Sequence, residues 1–385
     1  MKIESRLAQI GSQNDPQTGA VSFPIYQSTA FRHPRLGQST GFDYSRSKSP
    51  TRAVLEEAAA DLESGDAGFA TSSGMAALQI VFALFNQGDH LLVSLDLYGG
   101  TYRLLEQVMS RFGVTATYID TNDLDALESR RKPNTKAILI ETPTNPLMMI
   151  TDIAKTASWA KRSGLLTIVD NTLLTPFFQR PIELGADIVV HSASKYLGGH
   201  NDVLAGLIVT KGEKLSADVA FLHNSIGAVL GPQDSWLLMR GMKTLALRME
   251  RHQESATRIA EWLKGHPAVE EVYYPALPDH PGHGIQKAQS SGNTGIFSFR
   301  MKDARTIEPI LRHIKLIAFA ESLGGSESLM TYPAVQTHAD IPEEIREAVG
   351  VDDRLLRFSV GLEHADDLLE DLRQAIEAAE REING

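Results

Sequence analysis

Residues 187–202, DIVVHSASKYLGGHND, join an apolar run to a lysine that lies among small and hydroxyl residues. Lys195 has Ser192 and Ser194 before it and paired glycines after it. A lysine that is poorly solvated has a lowered pKa, and its amine can then attack a carbonyl carbon. The segment therefore predicts a buried strand that delivers a nucleophilic lysine, although alone it also fits a surface lysine in a loop after a strand.

Apolar runs followed by polar or glycine-bearing segments also occur on both sides of this segment. Short apolar runs alternate with longer stretches that are compatible with helices, and this alternation is typical of βαβ units around a mostly parallel sheet. The predicted strands are GFAT (68–71), HLLVS (90–94), VTATYI (114–119), KAILIE (136–141), LLTIVD (165–170), DIVVHS (187–192) and AGLIVT (205–210). Polar or glycine-bearing segments follow five of them, at the sheet edge where open α/β sheets bind ligands.

Composition narrows the function further. The 385-residue chain has no cysteine, which excludes thiol nucleophiles, disulfides and cysteine-ligated metals. Its net charge of -11 disfavours sequence-independent binding to nucleic acid or to anionic lipid, so a small-molecule partner fits better. The N-terminal segment MKIESRLAQIGSQ lacks an apolar core, and we expect a cytoplasmic protein without a secretory signal. The sequence shows no metal-binding cluster.

Changes in pattern suggest three parts. Residues 1–50 form an arm rich in Gly, Ser, Pro and aromatic residues, and the aromatics favour docking on another surface such as a partner subunit. A helical stretch at 234–263 contains the change from a large domain, 51–245, to a smaller α+β domain, 246–385. The predicted elements of the smaller domain are the strands VEEVYY (269–274), TGIFSFR (294–300), IKLIAFA (314–320) and LLRFSVG (355–361) and a closing helix at 365–381.

Two segments support a cofactor with a charged ring and a phosphate. Asp170 ends an apolar run. A buried aspartate at this position needs a cationic partner, such as the ring nitrogen of pyridoxal phosphate. The alternative is that Asp170 only caps a helix. In TSSGMAALQIVFALF (71–85), Gly74 and Met75 open a helix whose free amides suit a phosphate. The segment has neither a dinucleotide fingerprint nor a nucleoside triphosphate loop, so a smaller cofactor fits better; an ordinary tight turn is the alternative.

Two further residues suit a flat cofactor. Tyr98 in SLDLYGGTYR (94–103) lies at a strand end, where its ring could stack on the cofactor or simply cap the core. Asn145 in IETPTNP (140–146) precedes a proline in an extended step that could aim its amide at a phenolic oxygen, or could form a simple turn.

Seven motifs, in this order, resemble the Cys/Met metabolism enzymes that use pyridoxal 5'-phosphate. They are SSGMAA, DLYGGTY, ETPTNP, VDNT, HSASKYLGGH, ESLGGSESL and RFSVGLE, and the resemblance runs from the arm FDYSRSKSPTR to the last helix. It implies a type I, aspartate-aminotransferase-like α/β fold with a mostly parallel central sheet and a smaller C-terminal α+β domain. It also implies a homotetramer, a dimer of dimers whose active sites are shared between subunits.

The resemblance assigns roles to individual residues. It places the covalent attachment of the cofactor on Lys195, the ring-nitrogen contact on Asp170, the phenolic-oxygen contact on Asn145, and both ring stacking and acid/base catalysis on Tyr98. Phosphate binding falls to Gly74, Met75, Ser192 and Ser194, with Tyr44 and Arg46 from the neighbouring subunit. Substrate binding falls to Arg357, which holds the α-carboxylate, and to Ser322, Glu321 and Asn145.

Within the family, the pattern is most similar to bacterial γ-synthases. These join an O-acylhomoserine, acetylated or succinylated, to cysteine and form cystathionine in methionine biosynthesis; cleavage of cystathionine by a γ- or β-lyase is the alternative. Methionine γ-lyases typically carry a cysteine at the position of Gly100, which disfavours that activity, and Glu321 matches γ-synthases and γ-lyases. The arm departs from the family's usual RxGNPT, because Lys48 replaces the glycine and Ser49 the asparagine.

Overall fold

The structure is a computed structural model that describes residues 1–12, 14–339 and 341–384. Within them, seven strands form a large sheet in the order β1-β7-β6-β5-β4-β2-β3. The strands are β1 Ala67–Thr71, β2 His90–Ser94, β3 Thr115–Ile119, β4 Thr135–Glu141, β5 Leu166–Asp170, β6 Ile188–Ser192 and β7 Gly206–Thr210. Among these strands, β7 runs antiparallel to β1 and β6, and the other neighbouring pairs are parallel. The prediction of a mostly parallel α/β sheet is confirmed.

Helices in the described residues surround this sheet and a second one. They are α1 Ile3–Ala8, α2 Pro50–Glu63, α3 Gly74–Phe82, α4 Gly99–Arg103, α5 Leu124–Arg130, α6 Ile153–Arg162, α7 Thr175–Phe178, α8 Glu213–Ile226, α9 Pro232–Met242, α10 Leu245–Lys264, α11 His283–Gln289, α12 Ile307–His313, α13 Glu343–Val349 and α14 Ala365–Asn384. In the described chain, none of them combines the length and the apolar character that a membrane span requires.

The apolar strands are explained by burial of both faces of the sheet. In β4, Ile138 and Ile140 enter the core shared with α2 and α6, whereas Ala137 and Leu139 enter the opposite core shared with α3. Successive side chains of a strand point to opposite faces, so a strand covered on both sides must be apolar throughout. This explains why the sequence shows continuous runs instead of alternation.

A second sheet lies C-terminal to the first and has the order β10-β11-β12-β9-β8 in the described chain. Its strands are β8 Val269–Tyr273, β9 Ile296–Met301, β10 Ala318–Phe319, β11 Leu329–Thr331 and β12 Leu355–Ser359. Apolar residues of α10, α12 and α14 share a core with this sheet. The predicted strand at 314–320 shortens to the exposed edge pair of β10, and the predicted helix at 234–263 is two helices, α9 and α10.

The N-terminal arm is only partly packed against its own chain. Leu7 and Phe23 are buried in the core of the large sheet, whereas Leu36 and Tyr44 are exposed. An isolated bridge between Ala30 and Tyr44 holds the outer part of the arm together. The arm therefore carries apolar surface outward beside the large sheet.

Candidate active site

A cavity of about 270 Å³ opens at the carboxyl ends of β4, β5 and β6, beside the segment that joins β10 to β11. Most of the residues predicted for the site line it together. They are Gly74, Met75, Tyr98, Asn145, Asp170, Ser192, Ser194, Lys195, Glu321, Ser322 and Arg357. Strands that are parallel end on one edge of the sheet, and this is why segments far apart in sequence meet here.

Lys195 lies in the middle of this cavity. Its Nζ donates a hydrogen bond to Ser322 Oγ at 3.1 Å. The pKa of Lys195 is lowered to about 8, mainly by burial and also by the charge of Arg357, while Glu321 acts in the opposite direction. An ordinary lysine has a pKa near 10.5, so a much larger share of this amine is neutral and nucleophilic near neutral pH.

Asp170 is the last residue of β5 and faces the cavity. Its Oδ1 accepts a hydrogen bond from the backbone N–H of Thr172 at 3.0 Å. Burial raises the pKa of Asp170, and the hydrogen bonds of Thr172 and the charge of His191 act against that rise. No ion pair joins Asp170 to a basic side chain in the part of the chain that the structure describes. A cation that enters the cavity would therefore stabilise its ionised form.

The start of α3 presents backbone N–H groups at the cavity. Ser73 caps the helix by accepting the N–H of Ala76 at 3.1 Å, and the N–H groups of Gly74 and Met75 have no partner among the described residues. A Cβ on Gly74 would lie 2.8 Å from Ser192 Cβ, so only glycine allows the helix to approach β6 this closely. Free amides at a helix start, beside serine hydroxyls, are suited to a phosphate.

Arg357, in β12, supplies a buried guanidinium on the opposite side of the cavity. Its Nη1 donates to Asn145 Oδ1 at 3.0 Å, and its Nη2 donates to the Ser322 carbonyl at 2.9 Å and to Thr331 Oγ1 at 3.0 Å. Its buried Nε has no partner, and no carboxylate pairs with Arg357 within the described ranges. Burial lowers the pKa of Arg357 to about 10. Such a guanidinium favours an anionic ligand, because an unpaired buried charge is costly.

Tyr98 is the most open aromatic group of the site, with 39% of its surface exposed. It precedes α4, and a Cβ on Gly100 would lie 2.4 Å from Tyr98 Cε1. Any side chain at position 100 would therefore clash with the Tyr98 ring. Tyr98 thus presents its ring to the cavity, as stacking on a flat ligand would require.

Tyr44 and Arg46 do not line the cavity of their own chain. Arg46 Nη1 donates to the carbonyl of Asn224 at 2.6 Å and to its Oδ1 at 2.9 Å, near the end of α8. The guanidinium also lies 5.8 Å from the centre of the Tyr44 ring. Both residues are exposed, as contact with the active site of a neighbouring subunit would require.

Glu141, Thr172 and His191 are among the lining residues that the sequence did not predict. Glu141 ends a strand in an apolar run, as Asp170 does, so the same signal would have found it. His191 Nε2 lies 2.7 Å from Glu63 Oε1, a contact between residues too distant in sequence to be recognised there.

The residues present fit pyridoxal 5'-phosphate. The start of α3 suits its phosphate, Asp170 suits its ring nitrogen, and the neutral amine of Lys195 suits its carbonyl. Together with the sheet order, these features define a pyridoxal-phosphate-dependent enzyme of fold type I.

The family follows from the sequence as a whole. Residues 4–377 match the Cys/Met metabolism PLP-dependent enzyme family, and the chain belongs to it. Its cofactor is therefore pyridoxal 5'-phosphate.

Individual relatives cover nearly the whole chain. The chain is 56% identical to the cystathionine γ-synthase/O-acetylhomoserine (thiol)-lyase of Bacillus subtilis, over 97% of this chain and 96% of that protein. It is 52% identical to the cystathionine γ-lyase of the same organism, over 98% and 100%. The crystal structure of cystathionine γ-lyase from Lactobacillus plantarum, complexed with L-serine, superposes with a TM-score of 0.97, covering 99% of this chain and 100% of that one at 49% identity.

Proposed function

We propose that the protein joins an O-acylhomoserine to cysteine, forming cystathionine and releasing acetate or succinate, a γ-replacement that serves methionine biosynthesis. The observation that carries this proposal is the 56% identity to a relative named for γ-synthase and O-acetylhomoserine (thiol)-lyase activity. Glu321 and Gly100 are consistent with it, because Glu321 matches γ-synthases as well as γ-lyases and Gly100 disfavours a methionine γ-lyase.

The cofactor, when bound, supplies an electron-accepting ring that stabilises negative charge on the substrate carbon that loses its proton. Asp170 would keep the ring nitrogen protonated, because no basic side chain among the described residues forms an ion pair with its carboxylate. Lys195 would hold the cofactor and, once its amine is free, remove the proton from the α-carbon. Removal of a second proton, from the β-carbon, precedes departure of the γ-substituent, and Tyr98 is a second acid/base group for these transfers.

Arg357 and Asn145 would fix the substrate. The guanidinium can present parallel N–H donors to the α-carboxylate, and the 3.0 Å contact to Asn145 Oδ1 holds it in place. Ser322 would direct the Lys195 amine through its 3.1 Å hydrogen bond. These contacts orient the α-carbon toward the amine that removes its proton.

Cleavage of cystathionine is the second candidate. The 52% identity to a cystathionine γ-lyase and the superposition on another support it. γ-Replacement and γ-cleavage place the same demands on Lys195, Asp170 and Arg357, and the two differ in the reaction that follows loss of the γ-substituent.

A product assay tests the proposal. The enzyme is incubated with O-acetylhomoserine plus cysteine, with O-succinylhomoserine plus cysteine, and with cystathionine alone, while cystathionine, keto acid and free thiol are measured. We expect rapid formation of cystathionine in at least one of the first two reactions. Dominant release of cysteine from cystathionine would support a γ-lyase instead, and dominant release of homocysteine a β-lyase.

We also propose that the active sites are shared between subunits of a homotetramer. Residues 1–50 would act as the arm that carries Tyr44 and Arg46 into the neighbouring site, beside a large domain at 51–245 and a C-terminal domain at 246–385. Co-expression of Lys195→Ala with Arg46→Ala tests the sharing. In hybrids, one site combines an intact Lys195 with an intact Arg46 from its neighbour, so activity should reappear; hybrids as inactive as either parent would contradict it.

A further inference from the structure

Glu141 is a buried carboxyl group at the floor of the active-site cavity. It ends β4, and in the β4–β5 pairing its Cα partner is Asp170. Paired residues of neighbouring parallel strands point to the same face of a sheet. Two acidic side chains therefore lie next to each other where the cofactor ring nitrogen is expected.

Both oxygens of Glu141 accept hydrogen bonds from backbone N–H groups. Oε2 accepts from Tyr98 at 3.0 Å, and Oε1 accepts from Asn145 at 3.0 Å. Tyr98 follows β2 and Asn145 follows β4, so one side chain ties together the loops that leave two strands. Asn145 Oδ1 in turn accepts from Arg357, which extends the same chain of contacts to the substrate side.

This position is electrostatically unfavourable for a carboxyl group. Burial raises the pKa of Glu141 well above its ordinary value, and the neighbouring Asp170 raises it further. No ion pair joins Glu141 to a basic side chain among the described residues. The two N–H donors compensate for the burial of the carboxyl group. The buried Glu141 is therefore stable only while the two loops keep their positions, and the loops in turn are held by Glu141.

We propose that Glu141 is a positioning residue that sets the orientation of Tyr98 and Asn145 relative to Asp170, and thereby the tilt of the cofactor ring. The inference rests on the proposed roles of Tyr98 and Asn145 in cofactor binding. Glu141 acts through these neighbours: the backbone of each is anchored to it, while the Tyr98 ring and the Asn145 Nδ2 group remain available to the cofactor.

The test uses Glu141→Ala, Glu141→Gln and a matched control, Asp371→Asn. Asp371 is also a buried carboxylate that accepts backbone N–H groups, those of residues 315–317, but it lies on α14 beside the second sheet. Each variant is stripped of cofactor and titrated with pyridoxal 5'-phosphate. The dissociation constant, the circular dichroism of the bound cofactor and the melting temperature are measured.

We expect Glu141→Ala to bind the cofactor roughly tenfold or more weakly, because two hydrogen bonds to a carboxylate are lost. Its cofactor band should change in circular dichroism, which reports ring orientation. Glu141→Gln keeps one acceptor oxygen and should fall between wild type and Glu141→Ala. Asp371→Asn should lower the melting temperature and leave both cofactor readouts unchanged.

Wild-type affinity and dichroism in Glu141→Ala would overturn the inference, as would a Glu141→Gln variant no closer to wild type than Glu141→Ala. Equal changes in Asp371→Asn would overturn it too, because they would show a general effect of buried carboxylates. Should Glu141→Ala not fold, the comparison of Glu141→Gln with wild type carries the test. Failure of the proposed function appears elsewhere, as wild-type protein that binds cofactor but forms no cystathionine.

Discussion

Replacing Arg357 by lysine separates the geometry of the guanidinium from its charge. Lysine retains a cation but cannot present two parallel N–H donors to a carboxylate. It would also leave some of the present acceptors, Asn145 Oδ1, the Ser322 carbonyl and Thr331 Oγ1, without a donor. The substrate carboxylate would thus be held by fewer hydrogen bonds, from a group that is itself less firmly placed.

The size of the effect follows from these contacts. One hydrogen bond between charged groups contributes about 1.5–3 kcal/mol, which corresponds to a loss of roughly 10- to 150-fold in kcat/KM. We expect most of this loss in KM, because the carboxylate is bound equally in the ground state and the transition state. The variant should still load the cofactor, since Arg357 is not among the residues proposed to hold it.

Steady-state kinetics with the substrate identified by the product assay provide the measurement. Arg354→Lys is the matched control: Arg354 lies three residues earlier and forms partly exposed ion pairs with Glu270 and Asp352. It should keep wild-type kinetics, because exposed pairs contribute little. A KM for Arg357→Lys within twofold of wild type, or equal losses in both variants, would refute the assignment of the carboxylate to Arg357.

Three further predictions concern the cofactor. Because the pKa of Lys195 is about 8, the rate at which the cofactor-free protein binds pyridoxal should rise with pH and level off above that value. A rate that still increases steeply above pH 10, where an ordinary lysine titrates, would contradict the lowered pKa. Gly74→Ala places a Cβ 2.8 Å from Ser192 Cβ and should weaken cofactor binding. The control Gly284→Ala should not, because its Cβ would meet no atom within 4 Å. Equal affinities of the two variants in a cofactor titration would argue against phosphate binding at the start of α3. Asp170→Asn keeps an acceptor for Thr172 but loses its charge, and should lower kcat roughly a hundredfold or more; an undiminished kcat would exclude the ring-nitrogen role.

The elements that carry chemistry were predictable because their signals are local. An apolar run that ends in Asp170 or precedes Lys195 marks a buried strand, and Gly74 marks the turn that opens a helix. These signals need no knowledge of distant contacts, and the large sheet followed from them.

Other features depend on contacts between distant segments. The helical pattern across 234–263 gives no sign that α9 ends at Met242 and α10 begins at Leu245, because the intervening residues tolerate a helix. The predicted strand at 314–320 forms only an edge pair, since β10 contacts a single neighbour. The role of Glu141 depends on loops that follow β2 and β4, and only their meeting in space shows that one carboxylate holds both.

The arrangement of charge around the cavity explains how an acidic protein can hold an anionic substrate. The net charge of -11 disfavours anions over the molecule as a whole. Within the site, the acids Glu141 and Asp170 are paired at the ends of β4 and β5, whereas the Lys195 amine and the Arg357 guanidinium both contact Ser322, in the segment between β10 and β11. Exposed charges are screened beyond about 10 Å at moderate ionic strength, so these nearby, poorly solvated groups dominate the local field. With Asp170 proposed for the ring nitrogen and Arg357 for the substrate carboxylate, the two ligand charges would be bound by separate groups of side chains, and Lys195 would reach the α-carbon between them.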